Sequence, residues 1–224
     1  MAQVPLPKDS LAELLNLRGN WRKALKILSP LLFESKGESE YGGQECLRFV
    51  HPSFARFVSE ADSKCQDQYR IDVESSHCLL AQATLEAMLK DLHRDICKIG
   101  GNSDYDQLRR SELVKNLSIG FQYSCRYFHR HLQGSGRAGR DLIPLVQAFL
   151  RIQLLHWLEV SSVTGTVRST ISALQTLREW LQVRYQSNTE YFSPDNPIRF
   201  SMPKHHQICS ISSMMASNLC GNFK

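Results

Sequence analysis

Polar residues at spacings that chemistry uses occur in several parts of the chain. The run Gly134-Ser135-Gly136-Arg137-Ala138-Gly139 matches G-x-G-x-x-G, the glycine pattern that lets a backbone approach a pyrophosphate at a helix N-terminus. A dinucleotide site needs a strand before that run and βαβ alternation around it. Here the run follows a helical stretch, Cys125 to Leu132, and it reads as a flexible connection between two helices. A true P-loop needs G-x-x-x-x-G-K followed by Ser or Thr, and no such run occurs in the 224 residues, so the chain does not hydrolyse nucleotides by that route.

Cys125, His129 and His131 raise the question of a metal, as do His205, His206 and Cys209 further on. On a helix, positions 125 and 129 share a face and 131 points away, which leaves two ligands where structural zinc needs four. That cluster reads as packing, and the tail cluster, with Cys220 as its only other nearby thiol, falls short of a ligand set. Arg126, Arg130, Arg137 and Arg140, with His129 beside them, form the densest basic region. It reads as a solvated helix face, with an anionic partner as the second reading. His51 and Ser53 straddle Pro52 with no nucleophile-elbow motif around them, so nucleophilic catalysis has no support from spacing. Asn116-Leu117-Ser118 is formally a glycosylation sequon, but Leu117 falls on an apolar helix face and the sequon reads as inert.

The elements that would hold these residues are mostly helical. Asp9 or Ser10 can cap a first helix, and after Gly19-Asn20 a second carries Trp21, Leu25 and Leu28. Residues 31–33 and 46–50 then read as the two strands of a hairpin with a long loop, and Ser53 can cap a short helix with Phe54, Phe57 and Val58. From Ser75 the spacing predicts four longer helices. The first carries Leu85, Met88, Leu89, Leu92, Ile96 and Ile99 and closes at Gly100-Gly101; the second covers residues 105–132. The third, residues 141–160, is apolar nearly all round and belongs at the centre of a bundle. The fourth carries Val167, Ile171, Leu174, Leu177, Leu181 and Tyr185. The expected fold is mainly α: a winged-helix-like part over residues 8–62 with a small β-hairpin, an antiparallel helical bundle over 75–187, and an irregular or disordered tail over 188–224.

Composition limits the function classes. With 42% hydrophobic and 22% charged residues the chain can bury a core, and no repeat period points to a solenoid. The net charge of +5 is spread thinly, which does not announce nucleic acid. Residues 1–7 carry neither a basic start nor an apolar stretch, so no signal peptide is expected. The most apolar stretch, residues 142–160, is interrupted by Gln147, Arg151, Gln153, His156 and Glu159, and reads as a buried helix of a soluble protein. Seven cysteines without a C-x-x-C pair suit reduced thiols in the cytoplasm.

One stretch is more specific. Residues 47–58, LRFVHPSFARFV, resemble the L-H-P-S-F-x-x-F-L signature that follows the nucleotide-binding domain in fungal NACHT-type signalling NTPases of the STAND class, which are NLR-like proteins of innate immunity and incompatibility. Further similarities follow in the family's order: Tyr69-Arg70-Ile71-Asp72 with His77, Leu79-Leu80-Ala81, Met88 with Leu92 and Ile96-Cys97, then Tyr123 to Phe128 with His131-Leu132, and Leu155 to Val160. Together they cover about residues 10 to 183. The resemblance implies a winged-helix domain and a helical domain that in the parent architecture lie between the NACHT core and a C-terminal repeat array.

It also implies a role for His51. In related proteins a winged-helix histidine just before a short helix contacts the β-phosphate of ADP, and His51 holds a similar strand-to-helix position. The other reading is a structural histidine bonded to local backbone. ADP or ATP is expected only in a parent that carries the NACHT domain, and no cofactor is expected for this chain. The resemblance thus implies a truncated, non-catalytic regulatory and interaction segment. Its partners would be the parent's NACHT and repeat domains or a second copy, with no membrane. The alternative is a DNA-binding winged helix, whose helix with Arg22, Lys23 and Lys26 would enter the groove.

Overall fold

The computed structural model describes residues 2–35, 45–60, 62–96, 114 and 117–189. The chain divides into two units, Met1–Arg184 and Tyr185–Lys224, and the packing described here lies in the first. The tail expected over 188–224, with His205, His206, Cys209 and Cys220, lies almost wholly outside the described residues.

The protein is mainly α with one small antiparallel hairpin. Helix α1 (Lys8–Leu14) starts two or three residues earlier than a cap at Asp9 or Ser10 would have set it, because the extended backbone of Pro7 precedes it. It ends where Asn16 turns to a positive φ of 48°. Gly19, at φ 87°, makes the break before α2 (Trp21–Leu28). None of α2's residues is buried.

The hairpin pairs β1 (Leu32–Ser35) with β2 (Cys46–Phe49), in the register Leu32 to Phe49 and Ser35 to Cys46. The Lys8 ammonium meets Glu34 at 2.7 Å and ties α1 to β1. Helix α3 (Pro52–Ser59) follows at once, and Phe49, Phe54 and Phe57 form a run of tilted ring contacts at 5.4 and 6.5 Å.

The second half is built around α4 (Val73–Asp91) and α5 (Ile119–Gly134), which make the most extensive helix contact among the described residues. Asp72 caps α4 by accepting from Glu74 N, so the helix begins before Ser75. It also stops well before Gly100-Gly101: Leu92 is extended, and the His93 ring sits 2.8 Å from the Asp91 carbonyl. Residues 97–101 lie outside the described residues. Ser118 caps α5 with its hydroxyl on Phe121 N, so the stretch expected as one helix over 105–132 is broken at Leu117-Ser118; Val114 before the break is helical, and 105–113 and 115–116 lie outside the described residues. A hydroxyl that satisfies an orphan amide there competes with continued helix on its N-terminal side.

A 3-10 turn (Gly136–Leu142) leads into α6 (Ile143–Ala148), a π turn (Phe149–Gln153) and α7 (Leu154–Val163). This region is not buried all round as its composition suggests: Leu155 is 75% exposed and Ile152 is also outside. The inner face carries Val146, Phe149, Trp157, Val160 and Val163. Phe128, Phe149 and Trp157 meet at 5.2–5.7 Å between ring centroids, and Trp157 Nε1 donates to the Cys125 carbonyl at 2.8 Å. Helix α8 (Val167–Thr189) closes the core with Ala173, Leu177 and Trp180. Burying so many large side chains, at roughly 1.5–3 kcal/mol each, is what holds the bundle together. No helix among the described residues is long and apolar enough to cross a membrane.

Candidate functional site

His51 sits at the strand-to-helix junction as the N-cap of α3, with extended backbone at φ −136° and ψ 134°. Its Nδ1 accepts from Ser53 N at 3.1 Å and lies 2.6 Å from Ser53 Oγ. An Nδ1 that accepts from an amide carries no proton, so the hydroxyl donates to it as well and the ring proton is on Nε2. The cap is therefore His51, and Ser53, expected to cap, is its partner inside the first turn. Pro52 explains the exchange: its ring holds the preceding residue in extended backbone and it is tolerated at the first helical position. The Ser53–His51 contact does not make a nucleophile, because the imidazole is exposed and, among the described residues, its hydrogen bonds go only to Ser53.

The glycine run 134–139 is a packed junction, not a flexible connection. A Cβ on Gly134 would stand 2.7 Å from the His77 ring, and one on Gly136, at φ 47°, would overlap the Glu74 carboxylate. A Cβ on Gly139 would collide with Ser135 Oγ and the Arg184 guanidinium. Glu74 Oε2 accepts from Arg137 N at 3.3 Å, Cys78 Sγ donates to the Ala138 carbonyl at 3.3 Å, and Arg184 donates to the Gly136 carbonyl. The three glycines of the motif thus make room for α4 and α8 side chains, where a dinucleotide fingerprint makes room for phosphate.

Beside this junction runs a chain of buried polar groups. Gln3 N donates to Tyr123 Oη at 3.0 Å; Tyr123 Oη lies 2.7 Å from His131 Nε2; and His131 Nδ1 lies 3.0 Å from His77 Nδ1. Tyr123 and His131 are fully buried and His77 is half-buried. The arrangement that gives the phenol proton an acceptor has Tyr123 donating to His131 Nε2, His131 Nδ1 donating onward to His77 Nδ1, and the His77 proton on Nε2.

Every group in that chain is neutral. Burial, then the neighbouring His77, push His131 down to about 3. Burial also lowers His77 and pushes Tyr123 up to about 12. With its protons fixed at neutral pH, this chain of hydrogen bonds ties the N-terminal segment to the bundle.

His129 is separately buried, with Nδ1 unpartnered among the described residues, and burial followed by the Arg130 charge pushes it down to about 4. It lines a cleft with Arg126 and Arg130, while Arg137 and Arg140 lie on the 3-10 turn, so the basic region does not form one patch around a single cavity. His131, turned into the buried chain, does not join Cys125 and His129, and no group of three His, Cys, Asp or Glu among the described residues could hold a metal.

Sequence reasoning missed the Tyr123–His131–His77 chain, since His77 comes from a helix 54 residues upstream of His131. The legible signal was two polar residues, Tyr123 and His131, on a helix otherwise rich in buried apolar side chains. No protein-family model, no curated protein and no solved structure matches this chain.

Proposed function

We propose that the chain is a non-catalytic regulatory and interaction segment of a NACHT-type signalling NTPase, of the fungal NLR-like kind, working in the cytoplasm. The observation that carries the reading is an exposed apolar surface on the N-terminal elements. Ile27 is 71% and Val50 59% exposed, and Leu28, Leu31, Phe49 and Phe57 are exposed with them, while Phe33, also exposed, lies on the opposite face of the hairpin from Phe49. Large apolar residues clustered outside a core mark places where another protein surface docks. The stretch with the family-like signature supplies Phe49, Val50 and Phe57 of that surface, and the occupant proposed is the parent's NACHT domain.

The tautomer of His51 fits the same reading. With Nδ1 committed to Ser53, the Nε2–H faces away from the cap as the ring's remaining donor, the group that a β-phosphate in the parent would accept from. DNA binding is the weaker alternative: of the three basic residues on α2, Arg22 is paired with Asp9 at 3.0 Å and stacked on Trp21, which leaves two lysines for phosphate.

The test is to sequence the transcript across the locus and read upstream in frame for G-x-x-x-x-G-K-[ST], then to co-express that upstream segment with the chain. The reading expects the motif and a stable complex that Val50→Lys or Phe57→Glu disrupts. A stop codon directly upstream with no motif, or a complex indifferent to both substitutions, overturns it.

A further inference from the structure

The N-terminal elements are seated on the bundle mainly through residues 2–14. Of those elements α1 alone, among the described residues, makes an extensive contact with bundle helices, on α5 and on α4. Helix α2 has no buried residue, and α3 is tied instead to the chain that follows it, where Ile71 N donates to the Val58 carbonyl at 2.7 Å. Asp72, the next residue, opens α4, so the covalent joint between the two parts is its extended backbone.

Residues 2–14 have two sides. Toward the N-terminal elements the ties are polar: Pro7 pairs with Cys46 of β2 in an antiparallel bridge, Lys8 meets Glu34 of β1 at 2.7 Å, and Asp9 meets Arg22 of α2 at 3.0 Å. Toward the bundle the seat is largely apolar. Leu6 and Tyr123 are buried together, flanked by Leu11 and Leu14 of α1 and by Ile119 and Tyr127 of α5, and Gln3 N donates to Tyr123 Oη. Gly120 lets the two helices close, since a Cβ there would lie 3.5 Å from the Ser10 carbonyl oxygen and 3.9 Å from Leu14 Cβ. This cluster is separate from the much larger bundle core around Phe128, Phe149 and Trp157, which takes no side chain from residues 2–14. Losing the seat therefore leaves that core packed.

We infer that residues 2–14 are a releasable clasp: α1, α2, the hairpin and α3 open away from the bundle as one cooperative unit while the bundle stays folded. Units with few buried apolar contacts open at lower free energy than the core beside them. The N-terminal elements leave together because the ties at Pro7, Lys8 and Asp9 join them to α1, and because a lone two-stranded hairpin has little stability of its own. Release uncovers Ile119, Tyr123 and Tyr127 on α5. The chain then has two arrangements, and anything that binds one of them better shifts the balance by its difference in affinity. The inference concerns the chain alone and holds whichever protein docks on the N-terminal elements.

The experiment is amide hydrogen exchange of the full chain at rising urea concentrations below the unfolding transition. The protected amides of residues 2–35 and 45–59 are expected to converge on one opening constant, about tenfold or more above that of residues 121–132 in α5, with a shallower urea slope because less surface is exposed. Leu6→Ala is expected to raise both constants about tenfold or more, since both openings break the clasp. Val163→Ala, in the bundle core, is expected to raise the α5 constant alone, about tenfold for two buried methyl groups. Oxidised Leu14→Cys with Gly120→Cys places two Cβ atoms within the range of about 3.5–4.5 Å that a disulfide needs, and is expected to lower the N-terminal constant about tenfold or more. Equal constants for the two parts, unlike constants for α1, the hairpin and α3, or a rise in both parts from Val163→Ala would each overturn the inference. So would an N-terminal constant that responds neither to Leu6→Ala nor to the disulfide.

Discussion

The imidazole of His77 occupies the space where a side chain on Gly134 would begin, with His77 Cγ 2.7 Å from the position a Cβ would take. The same ring accepts the hydrogen bond from His131 on its other side, so it is held between a glycine and a buried hydrogen bond. The last residue of α5 is glycine for that reason, although alanine is the better helix former.

Gly134→Ala tests this contact. Helix propensity alone favours alanine by up to about 1 kcal/mol, while forcing a group into a filled site costs typically about 1–3 kcal/mol. Net destabilisation is expected by urea unfolding. A stabilised variant would mean that His77 gives way freely.

Tyr123→Phe removes the hydroxyl between Gln3 and His131 and keeps the ring. His131 Nε2 is then a buried acceptor without a donor, which costs about 1–3 kcal/mol. Hydrogen exchange at the Gln3 amide should accelerate, since its partner is gone. Unchanged exchange would show that the N-terminal segment is held by Leu6 and its apolar neighbours alone.

His129 and His131 make stability depend on pH. Their folded-state values, about 4 and about 3, lie below the ordinary 6.5, so between those limits the unfolded chain binds protons that the folded chain refuses. Stability therefore rises with pH through that window, is fully present above about 6.5, and is lost as pH falls. Each histidine contributes a slope of about 1.4 kcal/mol per pH unit inside the window. Urea midpoints between neutral and about pH 5 should show it, and His129→Gln should reduce the slope by about half. A flat profile would mean that one or both rings reach water.

At His51 the capping and nucleotide readings separate. His51→Ala should cost about 0.5–2 kcal/mol by loss of the cap, whereas His51→Asn keeps a capping acceptor and should cost little. If His51→Asn nonetheless abolishes ADP retention in the NACHT-bearing parent, the ring has a role beyond the cap. Equal retention by the native and Asn forms would confine His51 to structure.

What the residues disclosed about the fold depended on how local the cause was. The breaks at Gly19 and Pro52 and the two strands rest on nearby residues and are close to where local chemistry puts them, whereas the face of α8 is shifted: Val167 and Ile171, expected inside, are exposed, and Ala173, Leu177 and Trp180 face the core. The break ahead of α5 was missed because the capping hydroxyl of Ser118 outweighs the apolar spacing that runs past it, while α4 begins ahead of Ser75 because Asp72 caps it and ends early where Leu92 turns extended. The glycine run misled for a different reason. Close approach of a backbone to a phosphate and close approach to a histidine ring make the same demand, the absence of a Cβ, and only the fold says which one is met. The cleft was half visible: the arginines and His129 stand together in the chain, but Ser169 and Ser172, which complete it, come from some forty residues further on.

The π turn at Phe149–Gln153 has a consequence for how the gene can vary in length. Such a turn holds one residue more than an α-helix needs over the same span, which places Gln153 inward with its Nε2 on the Leu89 carbonyl at 3.1 Å. Losing one residue within it would turn the stretch into plain α-helix and leave both flanks facing as before, at the cost of that one bond. A codon lost downstream, beside Trp157, would instead rotate everything after it by about 100° and carry Val160 and Val163 out of the core. Tolerance to single-codon deletion is thus concentrated in five residues of a twenty-one-residue helical run, Ile143 to Val163.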